Sequence, residues 1–230
     1  MKNKSSLSVV IPTYNDQKTI NAQLVSVIDV LEKLDIFWEV IIANDCSTDN
    51  TKNILKKFVQ NKKIRILNNS RNKGISKNIK YLYSKAKCEY VLLFSVDGNW
   101  RTTNIASLYN AAIKNSADIV IGERKEKYLS ISRKVISFLY RYLTFLFFAV
   151  DVIDPGSIKC FKNNVYKNIK LYSKSIYFEA ELIIKAKKNG YKVISVPVRY
   201  TTERNEKSSV NLQLLFESVR DLIKLRIIGV

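Results

Sequence analysis

The sequence predicts an α/β fold with a mixed, mostly parallel sheet flanked by helices. Two short apolar runs, residues 7–12 and 37–43, have the length of buried strands, and the first ends at Pro12. Between them, apolar residues recur at helical spacing, which predicts a helix with one face on the sheet. A strand, a helix and a strand over this length form a βαβ unit, so we expect the two strands to be parallel.

The rest of the chain continues this alternation. Further strands are predicted over residues 62–69, 89–94 and 117–122, and the run 89–94 is apolar enough to be a central strand. Helices are predicted over residues 51–60, 103–115, 135–150 and 210–228. With 230 residues and no low-complexity linker, the chain is expected to be a single domain.

Composition narrows the classes of function. The chain has 39 Lys and Arg against 20 Asp and Glu, a net charge of +19 that favours polyanionic partners such as anionic membrane or phosphorylated substrates. Compositional bias accounts for the excess equally well. Without an aromatic and basic RNA-binding motif, we expect no nucleic-acid partner. The absence of histidine removes the commonest general base, and three cysteines at unrelated spacings favour a reducing compartment.

Polar residues follow the first two predicted strands. Thr13, Tyr14 and Asn15 follow the first, and an unbroken polar run over residues 44–51 follows the second. Because parallel strands present their carboxyl ends at one edge, both loops are expected at the edge where α/β proteins bind ligands. A helix N-cap at Ser47 or Thr48 explains part of the second loop equally well. It leaves unexplained Asp45 at the strand tip, where a carboxylate can accept a hydrogen bond from a base.

These two loops resemble the signature of family 2 glycosyltransferases. Pro12, Tyr14 and Asn15 match its P-x-Y-N, and Asp45 and Ser47 match its D-D-x-S, with Asn44 in place of the first Asp. The resemblance covers nearly the whole chain and is strongest to the branch with dolichol-phosphate mannosyltransferase and polyprenyl-phosphate glycosyltransferases. It implies a GT-A, Rossmann-like fold, and Asp45 as the residue that binds the nucleotide base.

The resemblance extends to the donor phosphates. Lys73 and Gly74 fall in an N-x-G segment that precedes a helix and would face phosphate, although an ordinary glycine loop is an equal alternative. The family carries D-x-D after its central strand, where it holds Mg²⁺ or Mn²⁺ against the donor diphosphate. Here Ser95 replaces the first Asp, which leaves Asp97 as the expected ligand together with the Asn99 amide. By itself, this stretch is typical of a β-turn.

In the second half of the chain, the family motifs are partly matched. Lys159 follows Asp154 in a shortened segment, and Glu179 and Glu181 occupy the F-D-x-E-L motif. The family's R-x-x-G-x-S-K is matched at Arg204. The resemblance implies that Lys159 and Arg204 bind acceptor or donor phosphate and that Glu181 positions sugar or acceptor.

The expected reaction is inverting transfer of a sugar from a nucleotide diphosphate sugar to a polyprenyl phosphate. Residues 1–123 would then form the nucleotide-sugar half and residues 124–230 the acceptor half of one domain. Two alternatives stay open. The first is transfer to a sugar hydroxyl in capsule or cell-wall glycan assembly, with Glu179 or Glu181 as base. The second is a degenerate relative without turnover.

A basic segment leads into the apolar run 135–150, which is too short to span a bilayer. On a helix, one narrow polar stripe would be formed by Lys134, Ser137, Arg141 and Thr144. The rest of the helix surface is apolar and therefore needs apolar partners. The sheet is one expected partner, and an anionic membrane surface or a second copy in a homo-oligomer is the other. Burial of this helix on all sides within the protein is the alternative. We expect a cytoplasmic protein that binds the inner face of the membrane peripherally.

Overall fold

The computed structural model describes residues 5–124, 131–201 and 212–229. Seven strands within these ranges form one sheet. They are β1 (Ser6–Thr13), β2 (Phe37–Asn44), β3 (Ile64–Asn68), β4 (Tyr90–Leu93), β5 (Ile119–Arg124), β6 (Lys159–Lys162) and β7 (Val193–Val198). The helices are α1 (Ile20–Glu32), α2 (Thr51–Lys56), α3 (Ile75–Lys85), α4 (Thr103–Lys114), α5 (Ile131–Phe148), α6 (Asn163–Asn168), α7 (Phe178–Lys188) and α8 (Leu212–Ile227).

The strand order is β3-β2-β1-β4-β6-β5-β7, and the pairs β1–β2, β1–β4, β2–β3 and β5–β7 are parallel. The predicted mixed, mostly parallel sheet and its βαβ unit are therefore confirmed. β4 is the fourth of the seven strands, as its apolar sequence predicted. β1 and β2 are in register up to Thr13 and Asn44, so their polar loops leave the sheet side by side.

β6 and β7 are the two strands that the sequence analysis did not predict. β6 lies between β4 and β5 and is antiparallel to both. Its four residues carry two lysines, a pattern that does not indicate a buried strand. The predicted helix over 51–60 ends earlier, at Lys56. The predicted helix over 135–150 begins earlier, at Ile131.

The core lies on both faces of the sheet. On one face, α1, α2 and α4 pack on the strands, with Ile20, Leu24, Val27 and Leu31 of α1 buried at the predicted helical spacing. On the other face, α3 and α5–α8 contribute a second cluster of buried apolar side chains. Burial on both faces explains why β1, β2 and β4 are nearly continuous apolar runs.

A buried ion pair sits inside the second core. Lys159 of β6 and Glu179 of α7 are 0% and 2% exposed, and Lys159 Nζ donates to Glu179 Oε2. Lys159 Nζ also donates to the Ser157 carbonyl at 3.0 Å, and Tyr83 Oη donates to Glu179 Oε1 at 3.0 Å. A buried charge pair with further hydrogen bonds is strongly destabilised when one partner is removed.

We therefore expect Lys159→Ala to lower the free energy of unfolding by about 3–5 kcal/mol, because it leaves the Glu179 carboxylate buried and unpaired. The double variant Lys159→Met with Glu179→Gln should recover most of this loss, since the amide oxygen still accepts from Tyr83. Urea unfolding followed by circular dichroism measures both. A loss below about 1 kcal/mol in Lys159→Ala would contradict a structural role for this pair.

Candidate active site

A cavity of about 260 Å³ opens at the carboxyl edge of the sheet, where β1, β2 and β4 end. Four of the predicted binding residues line it, namely Pro12, Tyr14, Asp45 and Gly74. Six further residues complete the lining: Thr13, Asp16, Asn72, Ile75, Asn78 and Ser95. The parallel strands thus bring together residues that lie more than eighty positions apart in the sequence.

Asp45 holds the loop that closes this cavity. Its side chain is buried, and its Oδ1 accepts from Asn69 Nδ2 at 2.7 Å and from the Lys73 amide at 2.9 Å. Its Oδ2 accepts from the Gly74 amide at 2.9 Å. A carboxylate offers about four acceptor positions, so these three bonds leave room for one more donor. Asp45 can shape the cavity wall and still accept from a base N–H.

Two asparagines that the sequence analysis did not select support Asp45. Asn69 also donates to Asn78 Oδ1 at 3.1 Å, and the buried Asn78 donates to the Ala43 carbonyl at 3.1 Å. These contacts connect the ends of β2 and β3 with the first turns of α3. Asn69, the last residue of the predicted third strand, and Asn78, four residues after Gly74, were the available signal.

Asn15 and Ser47 join the two loops and are absent from the cavity lining. Asn15 has a φ of 58°, and its Oδ1 accepts from the Thr48 amide at 2.8 Å. Ser47 Oγ accepts from the Asn15 amide at 3.0 Å and donates to Asn44 Oδ1 at 2.6 Å. Their observed contacts position the cavity walls.

Asn44 and the start of α2 also differ from expectation. Asn44 Nδ2 donates to Asn68 Oδ1 at 2.9 Å, a bond that an ionised Asp cannot make. The helix N-cap proposed for Ser47 or Thr48 is wrong, because α2 is preceded by Asn50 as its N-cap. Asp49 Oδ1 accepts from the Thr51 amide at 2.9 Å instead.

Asp16 is a second carboxylate that the sequence analysis missed. It lines the cavity, and its Oδ2 accepts from Thr13 Oγ1 at 2.6 Å and from the Tyr14 amide at 3.1 Å. Burial raises the pKa of Asp16, and the charges of Asp97 and Asp49 add to this effect although the two hydrogen bonds oppose it. Its position directly after Asn15, just beyond the end of the first predicted strand, was the signal that could have identified Asp16 as a site residue.

Asp97 lies on an exposed turn beside the cavity. Its Oδ1 accepts from the Asn99 amide at 3.0 Å, and Gly98 takes a φ of 90°, which favours glycine. A Cβ at Gly98 would lie 3.3 Å from Thr19 Cγ2, so this turn packs against the residues that lead into α1.

These residues suit a metal that arrives with a phosphate ligand. Among the described residues, no three His, Cys, Asp or Glu side chains form a cluster able to hold a metal ion. The carboxylates of Asp97 and Asp16 and the side-chain amide oxygen of Asn99 nevertheless offer the hard oxygen ligands that Mg²⁺ and Mn²⁺ prefer. Mg²⁺ commonly binds through one or two carboxylates while substrate phosphates supply the rest, which this donor set fits.

The predicted residues of the second half are not brought to this cavity. Lys159 is fully buried against Glu179. Glu181 is also buried, and its oxygens accept from the Tyr172 and Ser173 amides at 2.8 Å and from Lys185 Nζ at 2.8 Å. These contacts do not support direct contact of Lys159 or Glu181 with a ligand. Arg204 lies outside the described residues.

The basic side chains of Lys73 and Arg124 do not line this cavity and contact other groups of the protein. Lys73 contributes its amide to Asp45, and its ammonium lies 5.1 Å from the centre of the Tyr81 ring. Arg124, at the end of β5, forms a two-pronged ion pair with Asp154 and lies over the rings of Trp100 and Tyr200.

Comparisons of the sequence with known proteins show which proteins this chain is similar to. Residues 8–167 match the sequence profile of glycosyl transferase family 2. A dolichyl-phosphate beta-glucosyltransferase of Saccharomyces cerevisiae is 24% identical over 96% of this chain and 74% of its own length. A dolichol-phosphate mannosyltransferase of Pyrococcus furiosus is 24% identical over 95% of this chain and 63% of its own length.

A solved structure shows the same fold. It is a glucosyl-3-phosphoglycerate synthase from Mycobacterium tuberculosis in complex with Mn²⁺, uridine diphosphate and phosphoglyceric acid. It superposes with a TM-score of 0.72 at 15% identity, over 98% of this chain and 79% of that one. The family match spans well over half of the residues and includes both loops of the cavity. The chain therefore belongs to glycosyl transferase family 2.

Proposed function

We propose that this protein transfers a sugar from a nucleotide diphosphate sugar to a polyprenyl phosphate at the cytoplasmic surface of a membrane. The observation that carries the proposal is the cavity at the carboxyl edge, with Asp45 on its wall and Asp97 beside it. The names of the two dolichyl-phosphate sugar transferases support the acceptor class. The uridine diphosphate of the structural neighbour supports the donor class.

The donor is proposed to bind along the edge from β2 to β4. Asp45 accepts from the base at its remaining acceptor position, Tyr14 and Pro12 flank the base, and the diphosphate extends toward Asp97. Asp97, with Asn99 and Asp16 nearby, would hold Mg²⁺ or Mn²⁺ when the nucleotide is bound. A divalent ion there neutralises charge on the leaving nucleotide diphosphate. The structural neighbour with Mn²⁺ supports this choice of metal.

A phosphate acceptor fits the residues better than a sugar hydroxyl does. A hydroxyl needs a general base, and the candidates Glu179 and Glu181 are both buried with their oxygens bonded to protein groups. A phosphate is already an anion, so alignment and charge stabilisation suffice. The two relatives are named for transfer to dolichyl phosphate, an acceptor that reacts through its phosphate.

An exposed apolar surface supports docking of the protein on a membrane. On the outer face of α5, four large side chains are 53–67% exposed: Phe138, Tyr142, Phe145 and Leu146. α8 packs beside α5 and exposes Phe216 at 72% and Ile227 at 78%, together with the basic residues Arg220, Lys224 and Arg226. Apolar and basic side chains on one surface are typical of binding to an anionic bilayer.

One detail of the expected interfacial helix is corrected. Thr144 is buried, with its Oγ1 3.5 Å from Tyr177 Oη, so the predicted polar stripe does not mark the solvent face there. Among the described residues, no helix is long and apolar enough to cross a membrane.

Transfer is tested by incubating the protein with radiolabelled UDP-sugars and GDP-sugars, Mg²⁺ or Mn²⁺ and a short polyprenyl phosphate. We expect label from one donor to enter the lipid phase. Asp97→Asn should reduce the rate on the order of 100-fold, because charge on the leaving diphosphate is less stabilised. The matched control Asp29→Asn, at an exposed position of α1, should leave the transfer rate unchanged. Label that enters a glycan supplied in place of the polyprenyl phosphate would favour the hydroxyl acceptor, and no transfer from any donor would favour a degenerate relative.

Membrane binding is tested by co-sedimentation with anionic vesicles at low and high salt. We expect binding at low salt, and we expect Phe145→Ser and Phe216→Ser each to weaken it roughly tenfold, since each removes apolar area from the contact. Phe37→Ser is the matched control, because Phe37 is 64% exposed at the amino-terminal end of β2 and belongs to neither α5 nor α8. Absence of sedimentation at low salt, or equal losses in all three variants, would contradict the proposal.

A further inference from the structure

A second cavity, of about 640 Å³, lies at the same edge of the sheet but shares no residue with the first. It is lined by residues 101–103, at the start of α4, and by residues 198–201, at the end of β7. We call it the arginine cavity after Arg101 and Arg199. None of the motifs considered above includes these two arginines.

The arginine cavity is positively charged, and no acidic residue among those the structure describes compensates this charge. Arg101 and Arg199 are both exposed, and neither takes part in an ion pair with another residue that the structure describes. The lining contains no acidic side chain. Arg65, Arg124 and Arg141, in contrast, each bind a carboxylate of the protein itself. Two guanidinium groups in one concave surface, neither paired with a carboxylate in the described part of the chain, favour an anionic ligand.

A buried asparagine fixes the backbone from which both arginines project. Asn104 is 3% exposed; its Nδ2 donates to the Arg199 carbonyl at 2.8 Å, and its Oδ1 accepts from the Arg199 amide at 3.0 Å. The Arg101 amide donates to the same Arg199 carbonyl. Because these bonds order the backbone before any ligand binds, less entropy is lost on binding.

The wall of the arginine cavity is attached to the turn that carries Asp97. The Thr201 amide donates to the Asn99 carbonyl at 2.9 Å, and Trp100 forms a β-bridge with Tyr200. The rings of Trp100 and Tyr200 are 4.6 Å apart at their centres. An anion in the arginine cavity would therefore be held next to the proposed diphosphate site, on its side toward β7.

We infer that the arginine cavity binds a phosphate monoester, and that this phosphate belongs to the acceptor. The inference rests on the proposed function for the identity of the acceptor. The planar guanidinium donates two parallel hydrogen bonds to phosphate oxygens, and two such groups match a doubly charged phosphate better than a single carboxylate. Arg101 and Arg199 thus replace Lys159, which is buried, as the acceptor phosphate contacts.

The test measures binding by calorimetry at constant ionic strength, with inorganic phosphate and with a short-chain isoprenyl phosphate as titrants. Arg101→Gln and Arg199→Gln should each weaken binding of both titrants about tenfold and leave UDP or GDP affinity unchanged. Lys114→Gln, at the other end of α4, removes one charge as the matched control and should have no effect. Equal affinities in the wild type and both arginine variants would overturn the assignment.

Three further outcomes separate this inference from the proposed function. An isoprenyl phosphate that binds without displacing inorganic phosphate would contradict the acceptor assignment. Transfer with an unchanged acceptor KM in both variants would overturn the arginine cavity and leave the proposed function intact. Arginine-dependent phosphate binding without any transfer would support the cavity and contradict the proposed function.

Discussion

The hydrogen bonds to the Asp45 carboxylate are the interaction on which the candidate site depends. Asp45 directly follows β2, a buried parallel strand, and from there it accepts hydrogen bonds from Asn69, Lys73 and Gly74 of a loop more than twenty residues away in sequence. Without this carboxylate, the Lys73 amide would lose its acceptor, and the Gly74 amide and the Asn69 side chain would keep only their bonds to Asn72 and Asn78. The wall of the cavity would then lose much of its support. Charge-assisted hydrogen bonds of this kind are about twice as strong as neutral ones.

Buried carboxylates serve the same purpose in the second half of the chain. Glu181 binds the amides of Tyr172 and Ser173, and Asp221 of α8 binds those of Lys174 and Ser175. The loop before α7 is thus held by acidic side chains from two helices. The family motif at Glu179 and Glu181 accordingly supports the architecture of this half, whereas Arg101 and Arg199 at the sheet edge form no ion pair with another residue that the structure describes.

Sequence reasoning succeeded where the signal is local. The apolar runs of β1, β2 and β4, the helical spacing of α1 and the polar loops at Asn15 and Asp45 all rest on near neighbours in the chain, and the structure has them where expected. Sequence reasoning failed where contacts between residues far apart in the chain determine the structure. β6 is buried despite its lysines because Glu179, twenty residues later, neutralises Lys159. The arginine cavity forms only when β7 returns beside α4, a contact that no periodicity indicates.

The central claim, that Asp45 both builds the donor cavity and binds the base, is tested most directly by calorimetric titration of UDP and GDP into wild type and Asp45→Ala. Loss of a charge-assisted bond and of the loop support should weaken the nucleotide that binds by about 1.5–3 kcal/mol, roughly 10- to 150-fold. The exposed Asp29→Ala serves as a control that should leave affinity unchanged. Equal affinity of wild type and Asp45→Ala for that nucleotide would contradict the account.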